Sequence, residues 1–280
     1  KSSDLRRVLA NTIERTSKKL DLQLKQMKDT QKREKFRIYG ELINAYGYDV
    51  DPSSKSFTAI NYYNGEEVKI PLDPNLTMQE NAQKHFDKYN KLKRTYQALS
   101  SLIVSSKEEL KHLESINANL EIAVSEEDLM EIRQELMDYG YIKKRKEGKK
   151  KNKRKNISKP FHFVSSDGFH IYVGKNNYQN DELTFKIASN NDWWFHAKNI
   201  PGSHVIVKSD GKDIPESTLL EAASLAAYYS KGRESGKVEI DYTQRKNIKK
   251  PKGGKPGFVV YYTNSSLVAP SSIKGIKEVI

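Results

Sequence analysis

The chain has 280 residues, of which 36% are hydrophobic and 30% charged, and its mean hydropathy is -0.79. It is long enough for two domains that each bury a core. It contains no cysteine, which excludes disulfides, thiolate zinc sites and a cysteine nucleophile. No run of about 18 apolar residues occurs, so the sequence predicts no insertion into a membrane.

The net charge of +13 is unevenly distributed along the chain. Residues 1–142 hold 22 basic against 23 acidic side chains, residues 143–156 hold 10 against 1, and residues 157–280 hold 17 against 12. The basic charge therefore lies in one short segment and in the domain after it. This asymmetry favours a polyanionic partner for the C-terminal half, although a solubilising linker would also explain the short segment.

The first 142 residues predict long helices. Nine residues from Leu92 to Leu120, seven of them apolar, follow strict 4,3,4,3 spacing, which indicates a heptad seam of about four repeats. The stretch Thr77-Met78-Gln79-Glu80 has the pattern of a capping box, so this helix should begin near Thr77. A looser apolar stripe from Leu5 to Met27 predicts a second long helix. Two such helices in one chain favour an antiparallel coiled coil.

The region between these helices does not have a coiled-coil pattern. A short amphipathic helix at Phe36–Tyr46 and a hairpin around Asn64-Gly65 predict a small α+β knob at about residues 36–76. Ser125 should cap a third helix, because acidic residues follow it in the first turn. The lysine-rich run after that helix predicts an extended basic tether over residues 143–159.

From Pro160 the pattern changes to short strands interleaved with two helices, which indicates a compact α+β domain. The predicted fold class is therefore α+β. A long antiparallel coiled-coil arm carries a small α+β knob at its tip and is followed by the compact domain. The predicted limits are residues 1–142 for the arm, 143–159 for the tether and 160–280 for the last domain.

The stretch Asn191–His204, NDWWFHAKNIPGSH, holds both tryptophans of the chain and two of its six histidines. Adjacent residues of a strand point to opposite faces, so one of Trp193 and Trp194 belongs in a core. The other could lie exposed and stack on an unpaired base. The alternative is that both rings are packed and both histidines are hydrogen-bonded locally.

Four histidines in the last domain raise the question of a metal site or a catalytic centre. Histidines 162, 170, 196 and 204 show neither the close spacing of zinc ligands nor a cluster of neighbouring carboxylates, so the sequence predicts no metal and no cofactor. Asp192 or Asp241 could partner a histidine in acid–base catalysis. Because no nucleophile or phosphate-binding motif is present, a hydrolase using His196 and His204 ranks last, and we expect no enzymatic activity.

A second informative stretch, Tyr242–Gly257, is rich in lysine, contains no acidic residue and ends in several Pro and Gly residues. Proline stiffens a loop, and glycine lets a backbone approach a phosphate closely, so this stretch fits contacts to a nucleic-acid backbone. A solvated loop is the alternative. The candidate RNA-binding residues of the whole chain are Lys149, Lys150, Lys151, Arg154, Lys155, Trp194, His196, Ser203, His204, Arg245, Lys246, Lys249, Lys250, Lys252 and Lys255.

Three blocks of the sequence, taken in order, resemble one known domain. The first is Asp192-Trp193-Trp194-Phe195-His196-x4-Pro201-Gly202-Ser203-His204-Val205. The second is Tyr242-Thr243-x2-Lys246-x-Ile248-Lys249-Lys250-Pro251-x-Gly253-x2-Pro256-Gly257, and the third is Gly174-Lys175-Asn176-Asn177-x2-Asn180-Asp181. They resemble the RNA-binding-type domain, NFACT-R, of the NFACT family, and the helical region before them resembles the middle coiled-coil domain of that family. Trp193 departs from the family pattern, which has an aliphatic residue there.

The resemblance implies the C-terminal half of a ribosome quality-control factor in the cytoplasm. Such a factor binds the large ribosomal subunit holding a stalled peptidyl-tRNA, contacts its RNA and proteins, and recruits alanyl-tRNA for C-terminal alanine tailing. An older name within the family implies an alternative, a fibronectin-binding adhesin with a pool at the cell surface. A plain coiled-coil spacer would leave the C-terminal domain unexplained, and the oligomeric state stays open.

Overall fold

The structure, a computed structural model, describes residues 2–143 and 158–279. Its contacts divide the chain into two compact units. The main unit comprises residues 1–14 and 110–280, and the middle unit comprises residues 15–109. Long helices and antiparallel sheets confirm the predicted α+β class. The predicted limits at 142 and 160 remain predictions.

The helices are α1 (Ser2–Asp29), α2 (Arg33–Tyr46), α3 (Met78–Ile122), α4 (Glu126–Asp138), α5 (Asn177–Glu182) and α6 (Glu216–Tyr228). Single 3₁₀ turns lie at Thr30–Lys32, Gly47–Asp49, Arg233–Ser235 and Arg245–Asn247, and a π-helical turn follows α5 at Leu183–Ile187. Within the described residues, no helix combines the length and the apolar character needed to cross a bilayer.

The strands are β1 (Ser56–Ile60), β2 (Glu67–Pro71), β3 (Phe161–Val164), β4 (His170–Val173), β5 (Trp193–Ala197), β6 (Val205–Val207), β7 (Lys237–Gln244), β8 (Ser265–Pro270) and β9 (Lys277–Glu278). Strands β1 and β2 form the predicted hairpin, and the turn between them places Gly65 at a φ of 74°, in the left-handed region that favours glycine.

Helices α3 and α4 begin where the capping signals in the sequence predict. The backbone N–H of Glu80 donates to the Thr77 hydroxyl at 3.1 Å, and the Glu80 carboxylate accepts the Thr77 N–H at 2.8 Å. Ser125 and Asp128 form the same reciprocal arrangement at the start of α4. Both pairs satisfy backbone donors that a helix end otherwise leaves without partners.

In the middle unit, α1 and α3 run antiparallel. Lys19 lies 3.8 Å from Glu109, and the Arg33 guanidinium lies 4.2 Å from the centre of the Tyr96 ring. The seam buries Leu99, Ile103 and even Ser106, whereas Tyr96 stays 37% exposed. Helix α2 and the β1–β2 hairpin close a separate small core with the start of α3, formed by Leu42, Ile43, Ile70, Leu72 and Ala82.

The main unit combines a helical base with a sheet. We call residues 2–14 and 110–142 the helical base; α1, α3 and α4 bury Leu5, Leu9, Leu113, Ile116, Leu120, Ile132 and Leu136 there. Residues 158–279 form the sheet domain, a seven-stranded antiparallel sheet in the order β8-β7-β5-β6-β4-β3-β9. Helix α6 lays small alanines on one face of the sheet. Helix α5, the π-helical turn and residues 248–261 cover the other.

Candidate nucleic-acid interface

Strand β5 carries both tryptophans and lies in the interior of the sheet, paired with β6 and β7. Because adjacent side chains point to opposite faces, Trp193 packs against the core under α6 and Trp194 lies on the other face. Trp194 is 0% exposed and contacts Leu183 and Ile248 in a second core. Trp193 keeps part of its surface exposed.

The predicted role of Trp194 as a stacking surface is therefore wrong. Residues 248–261 cross over its face of the sheet, and the Tyr261 ring lies 5.1 Å from the indole. A base cannot reach a ring that is covered in this way. The indole N–H is buried as well and has no hydrogen-bond partner among the described residues.

His204 and Ser203 are also buried, at 2% and 1% exposed, so neither presents its side chain to a ligand. The Nδ1 of His204 lies 2.8 Å from the Thr184 hydroxyl, and the His204 backbone N–H donates to Asn180 Oδ1 at 3.0 Å. His196 packs edge-on against His204 and keeps only a small exposed area. Neither residue is placed to contact RNA directly, and the structure favours the alternative of local ordering. His204 joins the start of β6 to α5 and the π-helical turn, and the Ser203 backbone N–H donates to the Tyr229 carbonyl after α6 at 2.9 Å.

Burial holds both histidines neutral. It lowers the pKa of His196 to about 4, and it lowers the pKa of His204 well below its usual value, an effect to which the neighbouring His196 adds. A neutral imidazole does not attract phosphate. The two rings therefore stabilise the face on which the basic loop rests and carry no charge toward a ligand at neutral pH.

We expect the sheet domain to lose stability as the pH falls below 6.5. The folded-state pKa of His196 is depressed to about 4, so between these values the unfolded chain binds a proton that the folded chain does not. The free energy of unfolding should then fall by about 1.4 kcal/mol per pH unit for each such histidine. Urea unfolding followed by tryptophan fluorescence reports on this domain alone, because both tryptophans lie in it.

The variant His196→Gln should reduce the slope of the unfolding free energy against pH, because one fewer proton is taken up on unfolding. The exposed His170 lies in the same domain, and His170→Gln should change the slope less than His196→Gln does. If His196→Gln unfolds with the full pH dependence of the parent, the buried histidine is not its source.

The basic loop of residues 245–257 is held by its backbone. The N–H groups of Arg245 and Lys246 donate to the carbonyls of Asp192 and Asn190 at 2.8 and 3.1 Å. Lys249 exchanges two backbone hydrogen bonds with Val260, each of 2.9 Å. These bonds fix the first half of the loop against the sheet domain.

The second half of the loop contains a tight turn. Gly254 N–H donates to the Pro251 carbonyl at 2.9 Å, and Gly253 has a φ of 71°. A Cβ on Gly254 would lie 2.5 Å from Pro251 Cγ, so the turn needs glycine at this position. The turn presents Lys252 at its exposed corner.

Three of the predicted RNA contacts are engaged within the protein. Lys250 donates to both carboxylate oxygens of Asp181, at 2.8 and 2.7 Å. Arg245 donates to the Thr184 carbonyl at 2.8 Å, and Lys255 donates to the Tyr141 hydroxyl at 3.2 Å. These side chains anchor the loop, which leaves less of their charge for a ligand.

Three other lysines of the loop, Lys246, Lys249 and Lys252, are exposed. None of them forms an ion pair with a described residue. The structure thus separates the loop cations into anchored and free ones, a distinction that the sequence pattern does not show. A fixed backbone with free ammonium groups on its surface is suited to contact phosphates.

Sequence reasoning missed Asp181 as a functional residue. Its carboxylate binds Lys250 and also accepts the Gly257 N–H at 2.8 Å, so it fixes both ends of the turn region. Asn180 beside it orients His204. The signal was present in the block of residues 174–181, where several amides and a carboxylate follow one another in a short stretch.

The loop also contacts the helical base through aromatic residues. Lys255 lies 5.5 Å from the centre of the Tyr139 ring, and Lys111 lies 5.3 Å from the centre of the Phe258 ring. Beneath them, His112 Nε2 lies 2.9 Å from Glu135 Oε1, with both side chains 0% exposed. Asn177 donates to the same Glu135 oxygen at 2.8 Å. The position of the loop is therefore tied to a buried polar network.

The described residues do not bring together a metal-binding set. No group of three or more His, Cys, Asp or Glu side chains with metal-binding geometry occurs in residues 2–143 and 158–279. Asp192 binds Lys208, and Asp241 accepts the Tyr261 hydroxyl at 2.8 Å, so these carboxylates are occupied without a histidine. The ring nitrogens of His162 and His170 lie 2.8 Å apart at the exposed end of a strand pair.

The tether residues fall outside the described part of the chain. This applies to the candidate contacts Lys149, Lys150, Lys151, Arg154 and Lys155. Their predicted role in binding RNA stays a prediction.

Comparison with known families identifies the kind of protein to which these features belong. Residues 159–262 match the family described as "NFACT protein RNA binding domain", and this match covers most of the sheet domain. Residues 1–155 match the family described as "NFACT N-terminal and middle domains". The chain belongs to the NFACT family, as the three sequence blocks indicate.

Individual relatives cover nearly the whole chain. It is 42% identical over 275 residues to the "Rqc2 homolog RqcH" of Streptococcus suis (strain 05ZYH33), an alignment covering 98% of this chain and 49% of the relative. It is 38% identical over 280 residues to the "Rqc2 homolog RqcH" of Bacillus subtilis (strain 168), covering 99% of this chain and 48% of the relative. The chain thus spans about half the length of these curated relatives.

A solved structure is also similar. It is described as the C-terminal part of the fibronectin/fibrinogen-binding protein from Streptococcus suis. The sequence identity is 36% and the TM-score is 0.76, covering 99% of this chain and 97% of that one.

Proposed function

We propose that the chain is the RNA- and ribosome-binding half of a ribosome quality-control factor. In this proposal the whole factor works in the cytoplasm, binds the large ribosomal subunit that holds a stalled peptidyl-tRNA and recruits alanyl-tRNA for C-terminal alanine tailing. The chain acts by binding, and peptide-bond formation belongs to the ribosome. Relatives named RqcH over nearly the full chain and the RNA-binding family of the sheet domain support this proposal.

One observation carries the proposal: Lys246, Lys249 and Lys252 are exposed on a loop whose backbone is fixed. A fixed loop loses little conformational entropy on binding, so the contacts between its lysines and phosphates are not offset by the cost of ordering the loop. Lysine contacts to phosphates give affinity and orientation without reading a base sequence. That behaviour suits a factor that must dock at one place on ribosomal RNA whatever nascent chain has stalled.

Binding to purified large ribosomal subunits over a salt series tests this function. We expect saturable binding, selective for the large over the small subunit, whose affinity falls steeply as salt rises because phosphate-bound counterions are released. Equal binding to both subunits, or binding that does not respond to salt, would contradict a docking surface made of phosphate contacts.

A fibronectin-binding adhesin is a second candidate, because the similar solved structure carries a fibronectin/fibrinogen-binding description. The same assay with immobilised fibronectin separates the two. Saturable fibronectin binding that survives salt, with no binding to subunits, would favour the adhesin. Weak fibronectin binding that disappears with salt would reflect general adhesion of a basic protein.

A further inference from the structure

The middle unit carries a band of basic side chains that the net charge of residues 1–142 conceals. Residues 18–37 and 84–94 together hold 13 basic and 4 acidic side chains. Residues 38–83, which include the knob, hold 2 basic and 7 acidic ones, and residues 95–138 hold 3 and 10. Neutrality over residues 1–142 is thus the average of one basic band and two acidic regions.

The cations of the band lie on facing parts of two helical segments. Lys28 lies in the last turn of α1, Lys32 in the 3₁₀ turn and Lys35 in the first turn of α2, so the three lie close together along the chain. The 3₁₀ turn at Thr30–Lys32 lies between α1 and α2. Lys32 has a ψ of 0° there, whereas Asp29 and Arg33 keep right-handed helical backbone. The three lysines therefore follow one another along the junction between the two helices.

Helix α3 supplies the second row with i, i+4, i+7 spacing, at Lys84, Lys88 and Lys91. The two rows meet at Phe36, because the Lys35 ammonium lies 5.2 Å and the Lys88 ammonium 4.4 Å from the centre of its ring. Two like charges held near one ring repel each other unless an anion lies between them.

Most of these charges are uncompensated. Lys84 pairs with Asp73 at 3.0 Å. The other five lysines, Lys28, Lys32, Lys35, Lys88 and Lys91, are exposed and form no ion pair within 4 Å with a described residue. We call these five the middle band.

We infer that the middle band is a second phosphate-binding surface, which takes the backbone of double-stranded RNA separately from the basic loop. Each row repeats a cation about every 5–6 Å along a helix axis, and packed helices lie about 8–10 Å apart. Two rigid rows of cations face two rows of phosphates, and duplex RNA is recognised mostly by shape and backbone contacts. The choice of RNA as the partner rests on the proposed function.

The test compares three variants of the full chain that carry only Lys→Gln changes. The band variant changes Lys28, Lys32, Lys35, Lys88 and Lys91. The loop variant changes Lys246, Lys249 and Lys252, and the control variant changes Lys212, Lys237 and Lys274, which are exposed and lie outside both surfaces. Glutamine and lysine have nearly equal helix propensity, so the helices should persist, and circular dichroism checks that they do.

The probe is an RNA duplex of about 16 base pairs, the length that one double-stranded RNA-binding domain spans. For the band variant we expect an affinity loss of at least about 100-fold at about 0.1 M salt, and a log–log salt slope lower by about 4. The control variant should change either quantity little. If the band variant binds the duplex as the parent chain does, the inference is overturned.

The loop variant makes failure of the two proposals distinguishable. Loss of RNA binding in the loop variant alone overturns the middle band and leaves the proposed function standing. Loss in the band variant alone supports the band and removes the loop from the interface. A final experiment measures binding of the same variants to vesicles that contain phosphatidylserine. If the band variant loses vesicle binding and keeps RNA binding, the surface binds a membrane and its assignment to RNA is overturned.

Discussion

Replacing Lys246, Lys249 and Lys252 together with glutamine should lower the affinity for large-subunit RNA by about two orders of magnitude at about 0.1 M salt. Each lysine that contacts a phosphate releases close to one condensed counterion, so the log–log salt slope should fall by about 3. The three side chains are exposed and bear no ion pair with a described residue, and the backbone bonds of the loop do not involve them. The folded structure should therefore survive the change.

The matched control is the triple change at Lys212, Lys237 and Lys274, which removes the same charge elsewhere on the sheet domain. It separates a loss of net charge from a loss of specific contacts. Lys250→Gln should affect RNA affinity by a different route: Lys250 binds Asp181, so its removal loosens the loop. An equal loss of affinity in the loop and control triples would mean that only overall charge attracts RNA to this domain.

Replacing His112 with phenylalanine should destabilise the main unit by about 3–5 kcal/mol. His112 and Glu135 are 0% exposed, and the second carboxylate oxygen of Glu135 already lacks a partner among the described residues. Phenylalanine would retain contacts with the surrounding rings and remove the polar partner of a buried carboxylate. Urea unfolding at neutral pH measures the cost.

The double variant His112→Phe with Glu135→Gln is the control for this network. Glutamine keeps an oxygen that can accept from Asn177 and removes the buried charge, so the double variant should recover much of the lost stability. If it is as unstable as the single variant, the cost comes from misfitted packing and not from an unpaired carboxylate.

Local signals in the sequence were sufficient for much of the fold. Thr77 and Ser125 mark helix starts because a capping side chain acts within three residues of itself. The turn at Asn64-Gly65 likewise depends on one glycine with positive φ. The first of the two helices predicted for the last domain is α-helical only at Asn177–Glu182, and a π-helical turn follows it.

The candidate site was less predictable, because the decisive contacts join distant segments. Trp194 is buried by residues 248–261, and no pattern around the tryptophan shows which part of the chain will cover it. Lys246 and Lys250 lie in the same basic stretch, and nothing in the sequence distinguishes them. Asp181 nevertheless binds Lys250, whereas Lys246 stays exposed. Averaging charge over 142 residues also concealed the middle band, because acidic and basic regions cancel when the helices are counted together.

Photo-crosslinking from position 252 on purified large subunits tests the central claim most directly. A photoreactive phenylalanine analogue in place of Lys252, at the exposed corner of the loop, should label ribosomal RNA, and the label should disappear as salt rises. The same analogue at position 212, elsewhere on the sheet domain, should give little label. Equal RNA labelling from both positions, or labelling of ribosomal proteins alone from position 252, would contradict a loop that docks on the RNA backbone.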